Sequence, residues 1–186
     1  MDSELTGPGE PPICVDLDGT LIAADTLRVS LRMLARRQPW RLLPAAGRVM
    51  GGRAAFKAYV AGCILPDASA LPWRARVIEF LRSEHARGRR LILATAADHR
   101  VASCVADHLG IFDAVIATEG RKNRRGTEKL LAIRNLLNDN EFDYVGDSSV
   151  DLPLFLAARK AFLVAPSESL LRRVSEVRPV DGVFEG

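Results

Sequence analysis

Five short, almost wholly apolar runs, separated by stretches of helical periodicity, restrict this chain of 186 residues to few folds. They fall at residues 13–15, 91–94, 114–117, 142–145 and 161–164. Each is short for a buried helix and lacks the polar alternation of a half-exposed strand. Strands of that kind lie at the centre of a parallel sheet with helices on both faces. The intervening stretches supply the helices. Val77, Ile78, Leu81 and His85 fit one ending at Gly88, and Asp98 caps another that runs to Leu109 and closes at Gly110. Thr127 opens a third over 128–137, a short one spans 151–159, and Ser167 caps a last one through Val174. This alternation predicts an α/β three-layer fold with a central parallel sheet of five strands.

Length suits one domain with a small insertion. A hydrophobic content of 48% with 26% charged residues is that of a soluble globular chain, and no apolar run approaches the ~20 residues of a membrane span. Residues 1–12, rich in Gly and Pro, read as a flexible lead-in without the basic and apolar parts of a signal peptide. Cys14, Cys63 and Cys104 are odd in number and set in apolar surroundings, so they read as small buried hydrophobes in a reducing, cytoplasmic setting. Residues 26–66 break the regular alternation. They hold eight of the 26 cations and none of the 23 acids, which leaves the rest of the chain mildly acidic. Helices are predicted over 27–37, with Arg28, Arg32 and Arg36 in a stripe beside Leu27, Leu31 and Leu34, and over 54–64. Pro39, Pro44, Gly47, Gly51 and Gly52 predict breaks between them. The segment 26–66 is expected to be a helical insertion, with 13–25 and 67–186 forming the core.

In parallel α/β sheets, ligands bind at the C-terminal ends of the strands. The first strand delivers Asp16 and Asp18 there, followed by Gly19 and Thr20. Two arrangements account for such a pair. Both carboxylates are solvated turn formers, or a divalent cation relieves their repulsion; Mg²⁺ takes one or two carboxylates and leaves room for a phosphate. Thr95 ends the second strand, either as a helix cap or as a phosphate-binding hydroxyl. Lys129 lies in the first turn of the helix before the fourth strand, solvated or reaching inward. Asp147 and Asp151 follow Gly146, as a plain turn or as further acids at the same edge. Four elements converging on one edge point to a shared site.

Taken together, Asp16-Leu17-Asp18-Gly19-Thr20-Leu21, Thr95, Lys129 and the run from Gly146 to Asp151 resemble the four motifs of the haloacid dehalogenase superfamily, in order and over 13–164. The resemblance implies a Rossmann-like core with strand order 5-4-1-2-3 and a helical cap where the basic insertion lies. It implies Asp16 as nucleophile, Asp18 as general acid and base, and an aspartyl-phosphate intermediate. Gly19, Thr20, Thr95, Ala96 and Lys129 would surround the phosphoryl group, with Lys129 also catalytic. Asp16, Asp18, Asp147 and Asp151 would hold Mg²⁺. An acid at position 18 favours phosphoryl transfer over dehalogenation.

The 94–98 run, the 146–153 run and the Arg-rich insertion also resemble the phosphatase-like domain fused to some intramembrane prenyltransferases. That likeness extends the expected substrates from small phosphate esters to prenyl-linked ones, on a free-standing relative. A phosphotransferase or mutase of the same fold, or a non-catalytic regulatory module, would share the motifs. Nucleic acid is not an expected partner, since few aromatics interleave the basic block and no base-reading motif appears. Peripheral contact between the basic insertion and an anionic membrane is an expectation. Oligomeric state has no signal in the sequence.

Overall fold

A computed structural model describes residues 10–48, 52–119 and 124–185; most of the predicted lead-in, and Gly51, lie outside the described residues. The strands are β1 (Ile13–Val15), β2 (Leu91–Asp98), β3 (Ala114–Thr118), β4 (Asp143–Gly146), β5 (Ala161–Val164) and β6 (Gly182–Phe184). All neighbours run parallel, in the order β3-β2-β1-β4-β5-β6. β1 sits at the centre, with Ile13 in register with Leu91 on one side and Asp143 on the other. The sheet thus has six strands, not five. β6 is only three residues long and carries no apolar run; it is held by pairing with β5 and by packing of Phe184 against Phe80, with ring centroids 5.3 Å apart.

Side-chain alternation along the strands divides the core in two. Ile13, Val15, Leu91 and Leu93 face α4 (Ala75–Ala86) and α5 (His99–Leu109) through Val77, Leu81, Val101 and Val105. Cys14, Ile92 and Ala94 face the other way, toward Ile133, Leu154, Phe155 and Leu170. These belong to α6 (Thr127–Leu137), α7 (Leu152–Ala157) and α8 (Glu168–Ser175). The helix ends follow local chemistry. Asp98 accepts from the Arg100 N–H at the start of α5, Gly110 closes it in the left-handed region, and Ser167 accepts from Leu170 N–H at α8. Cys14 is fully buried, whereas Cys63 and Cys104 are half-buried; all three are free thiols. No helix among the described residues is long and apolar enough to cross a membrane.

Residues 26–66 carry α1 (Thr26–Arg37), α2 (Leu42–Arg48) and α3 (Arg53–Cys63), with a 3₁₀ turn at Pro39–Arg41. The predicted break at Pro44 is absent. Pro44 falls in the first turn of α2, where a missing N–H costs no helical hydrogen bond. α3 packs on α1, α2 and β2. Arg100 ties it down, donating from Nη2 to the Ala58 carbonyl at 2.7 Å. In α1, Leu34 is buried while Arg28, Arg32 and Arg36 stand in solvent.

At the N-terminal edge of the sheet, Asp143 accepts from the Arg159 Nε and Nη2 (both 2.9 Å), from Lys160 N–H (3.0 Å) and from Arg89. Arg89 also pairs with Glu84 at 2.8 Å and donates to the Pro11 carbonyl at 2.8 Å. This buried cluster lies at the opposite end of the strands from the acids Asp16 and Asp147.

Candidate active site

The chain holds the sheet for one residue beyond β1, as Asp16 N–H donates to the Val145 carbonyl at 3.0 Å. That bond sets the Asp16 carboxylate in the crevice where strand order reverses, between β1 and β4. Its Oδ1 lies 3.0 Å from Lys129 Nζ, which α6 carries inward to 1% exposure. The same ammonium reaches Asp151 Oδ2 and the Tyr144 hydroxyl, both at 3.1 Å, and that hydroxyl donates to Asp151 Oδ2 at 2.9 Å. Burial alone favours a neutral lysine, but Asp16 and Asp151 outweigh it and hold the Lys129 pKa above its ordinary value.

Asp18 faces the same crevice from the turn. Its Oδ1 accepts the Thr26 N–H at 2.7 Å, so the first turn of α1 fixes this carboxylate. Gly19 is required by space as well as by φ (82°), since a Cβ there would come within 2.1 Å of Asp147 Oδ2. Thr20, fully buried, donates to Asp147 Oδ1 at 2.9 Å and so orients it from behind.

These acids are short of positive charge. Burial pushes the Asp18 carboxyl up to about 6 against the hydrogen bonds from Thr26. It raises Asp147 too, against the Thr20 hydroxyl and with Asp151 adding repulsion. Asp16 is raised by burial despite Lys129, with Asp151, Asp18 and Asp147 adding to the shift. An all-oxygen donor set with unbalanced negative charge fits a hard divalent cation held by few protein ligands. No closed group of three metal-binding side chains is formed among the described residues. Asp151 accepts from Lys129 and Tyr144, both at Oδ2, as Asp16 accepts from Lys129 and Asp147 from Thr20.

A cavity of about 230 Å³ opens between these strand ends and the inner faces of α1 and α3. Asp16, Asp18, Ala96, Lys129, Asp147 and Asp151 line it. Gly19, Thr20 and Thr95 stand behind that lining: the first two pack against Asp147, and Thr95 Oγ1 accepts the Ala97 N–H at 3.0 Å. The Ala96 carbonyl accepts from Lys57 Nζ at 2.5 Å and from the Thr118 hydroxyl at 2.9 Å. Tyr144, Lys57 and Ser30 are site residues that the sequence alone does not single out. Tyr144 had a faint signal, as a phenol in an apolar strand two residues before Gly146. A Cβ at Gly146 would lie 2.7 Å from the Tyr144 ring, so that glycine makes room for the phenol to reach Asp151.

Comparison with known proteins gives the family and the fold. Residues 13–156 match the family described as haloacid dehalogenase-like hydrolase. An uncharacterized protein of Sinorhizobium fredii (strain NBRC 101917 / NGR234), y4nM, is 36% identical over 171 residues. That match covers 90% of this chain, which spans only 33% of the length of y4nM. Among solved structures, a protein of unknown function from Bordetella pertussis Tohama I superposes with a TM-score of 0.71 at 20% identity, covering 93% of this chain and 97% of that one. A substrate-bound phosphoserine phosphatase superposes at 0.63 and 15% identity, covering 96% and 94%. At these identities the structural likeness is one of fold. With a family match over most of its length, the chain belongs to the haloacid dehalogenase-like hydrolases.

Proposed function

We propose that this chain is a Mg²⁺-dependent phosphomonoester hydrolase with Asp16 as its nucleophile. The observation that carries the reading is the Asp16–Lys129 contact at 3.0 Å, with Asp18 held beside it by α1. An Asp16 oxygen attacks phosphorus in line with the ester oxygen, forming the aspartyl-phosphate as the P–O ester bond breaks. Asp18 gives its proton to the leaving oxygen. It then takes a proton from the water that attacks the intermediate, freeing inorganic phosphate and Asp16. A carboxyl raised to about 6 suits both transfers near neutral pH. Lys129 offsets the charge of Asp16 and the phosphoryl oxygens, with Ala96 on the cavity wall beside them and Thr95 behind it. Held by Asp16, the Asp18 carbonyl and Asp147, Mg²⁺ would neutralise the phosphoryl charge. In this reading, 26–66 is a cap over a core made of 13–25 and 67–186, and the substrate is a small or prenyl-linked phosphate ester.

The test is hydrolysis of phosphate esters by the purified chain, titrated with Mg²⁺. Asp147→Ala deletes a ligand, and Thr20→Val removes the hydroxyl that orients it. Thr20→Val should raise the Mg²⁺ needed for half-maximal rate by about 10- to 100-fold, and Asp147→Ala by at least as much. Chelator-insensitive turnover, or an unchanged Mg²⁺ requirement in both variants, contradicts the assignment.

The outer face of the cap suits an anionic bilayer. Trp40 is 66% and Leu43 82% exposed, beside the exposed Arg36, Arg37 and Arg41. Each cation near such a surface is worth about 1 kcal/mol, screened by salt. The chain should therefore float with phosphatidylglycerol vesicles at low salt. Changing Arg28, Arg32 and Arg36 to Gln should weaken that binding. Equal flotation of both proteins makes the Arg28, Arg32 and Arg36 stripe only a soluble face, and no flotation, or equal binding to neutral vesicles, removes the anionic membrane from the picture.

A further inference from the structure

The upper wall of the cavity contains chemistry that phosphoryl transfer does not use. Ser30 is 2% exposed, lines the cavity, and its hydroxyl has no hydrogen-bond partner. An unpaired buried hydroxyl is costly, and a serine in mid-helix commonly bonds to the preceding turn; Ser30 does not. Facing the same space from α3 are Arg53 and Lys57, one helical turn apart. Lys57 spends one proton on the Ala96 carbonyl, which anchors its ammonium at the end of β2 and leaves two donors. Among the described residues, no carboxylate lies within ion-pairing distance of Arg53, Lys57 or Arg125, a third cation at the cavity.

Two acids share this wall. Asp98 is balanced by Arg100 at 2.9 Å and caps α5, and Asp25 accepts the Arg28 N–H at the rim. Asp25, with Asp18, offsets part of the charge of Lys57, but Arg53, Lys57 and Arg125 outnumber it on this wall and leave an excess of positive charge.

We infer that Ser30, Arg53 and Lys57 form a second subsite that takes an anionic, hydrogen-bond-accepting group at the end of the substrate remote from its phosphate. This rests on the phosphomonoesterase reading and narrows it to esters with a second negative group, such as a carboxylate. Ser30 donates its proton to that group, and Arg53 and Lys57 supply charge. An ester ending in an ammonium meets repulsion from the same residues.

The test uses three small esters that differ in the remote group: phosphoglycolate, ethyl phosphate and phosphoethanolamine. Their affinities are measured by calorimetry with Asp16→Asn protein and Mg²⁺, so that no turnover intervenes, while the wild type is assayed on p-nitrophenyl phosphate. Phosphoglycolate should bind about 10- to 100-fold more tightly than ethyl phosphate, the worth of one or two charge-assisted hydrogen bonds, with phosphoethanolamine weakest. Adding Lys57→Met, or separately Ser30→Ala, should bring the phosphoglycolate-to-ethyl phosphate ratio toward one. Equal affinities for the three esters, with p-nitrophenyl phosphate still hydrolysed, overturn the subsite alone. So does a preference for phosphoglycolate that survives both substitutions. Failure to bind any ester, together with no hydrolysis, overturns the phosphomonoesterase reading and the subsite with it.

Discussion

Asp16→Asn should abolish Mg²⁺-dependent phosphatase turnover while leaving the fold intact. The amide keeps the shape of the carboxyl and its carbonyl oxygen still accepts from Lys129, so packing around β1 is preserved. It lacks the anionic oxygen that must attack phosphorus, and Lys129 is left with Asp151 as its only charged partner among the described residues. Loss of a covalent nucleophile costs on the order of 10⁴-fold or more in kcat. Asp18→Asn removes a proton carrier instead and should cost about 10²- to 10⁴-fold. Both are read as initial rates on p-nitrophenyl phosphate, with circular dichroism to confirm folding. Wild-type turnover by pure Asp16→Asn protein would end the covalent mechanism.

Asp143→Asn should be the most damaging single change to stability. Burial works against the Asp143 carboxyl, yet the Arg159 and Arg89 guanidiniums outweigh it and hold its pKa below the ordinary 3.8. Removing the charge leaves Arg89 buried with, among the described residues, only Glu84 and the exposed Glu10 as acids, while Arg159 keeps at most one of its two bonds, to the amide oxygen. Breaking a buried ion pair from one side costs about 3–5 kcal/mol, which lowers Tm by on the order of 10 °C in a chain of this size. The pH dependence has a definite sign. A carboxyl depressed in the folded state stabilises above its unfolded pKa, and that contribution is lost as pH falls through the folded pKa. The gap between wild type and Asp143→Asn should be full above pH 5 and close in acid below 3.8. A gap that is small at pH 7, or that widens in acid, contradicts the role given to this cluster.

The sequence by itself determined the parallel α/β architecture and the place of the acids within it. An apolar run of three or four residues has only the sheet interior to go to, and a carboxylate directly after it has only the strand end. Asp16, Asp18 and Asp147 were legible for that reason: their positions follow from spacing along single elements, whereas spacing left Lys129 either solvated or turned inward. Tertiary structure alone decided what those residues touch. Thr20 finds Asp147 127 residues away, and Tyr144 reaches Asp151 across the room left by Gly146. Likewise, Glu84, Arg89, Asp143 and Arg159 look like ordinary solvated charges until α4, β4 and the turn before β5 bring them together. The same holds for β6, whose three residues lack a local pattern and are ordered by the open edge of β5 and the aromatic packing beneath it. The Ser30–Lys57 wall belongs there too, because nothing local distinguishes a serine in α1 until α3 closes over it. Periodicity encodes which face of an element is buried, whereas the partner on the other side of a contact depends on how the elements pack.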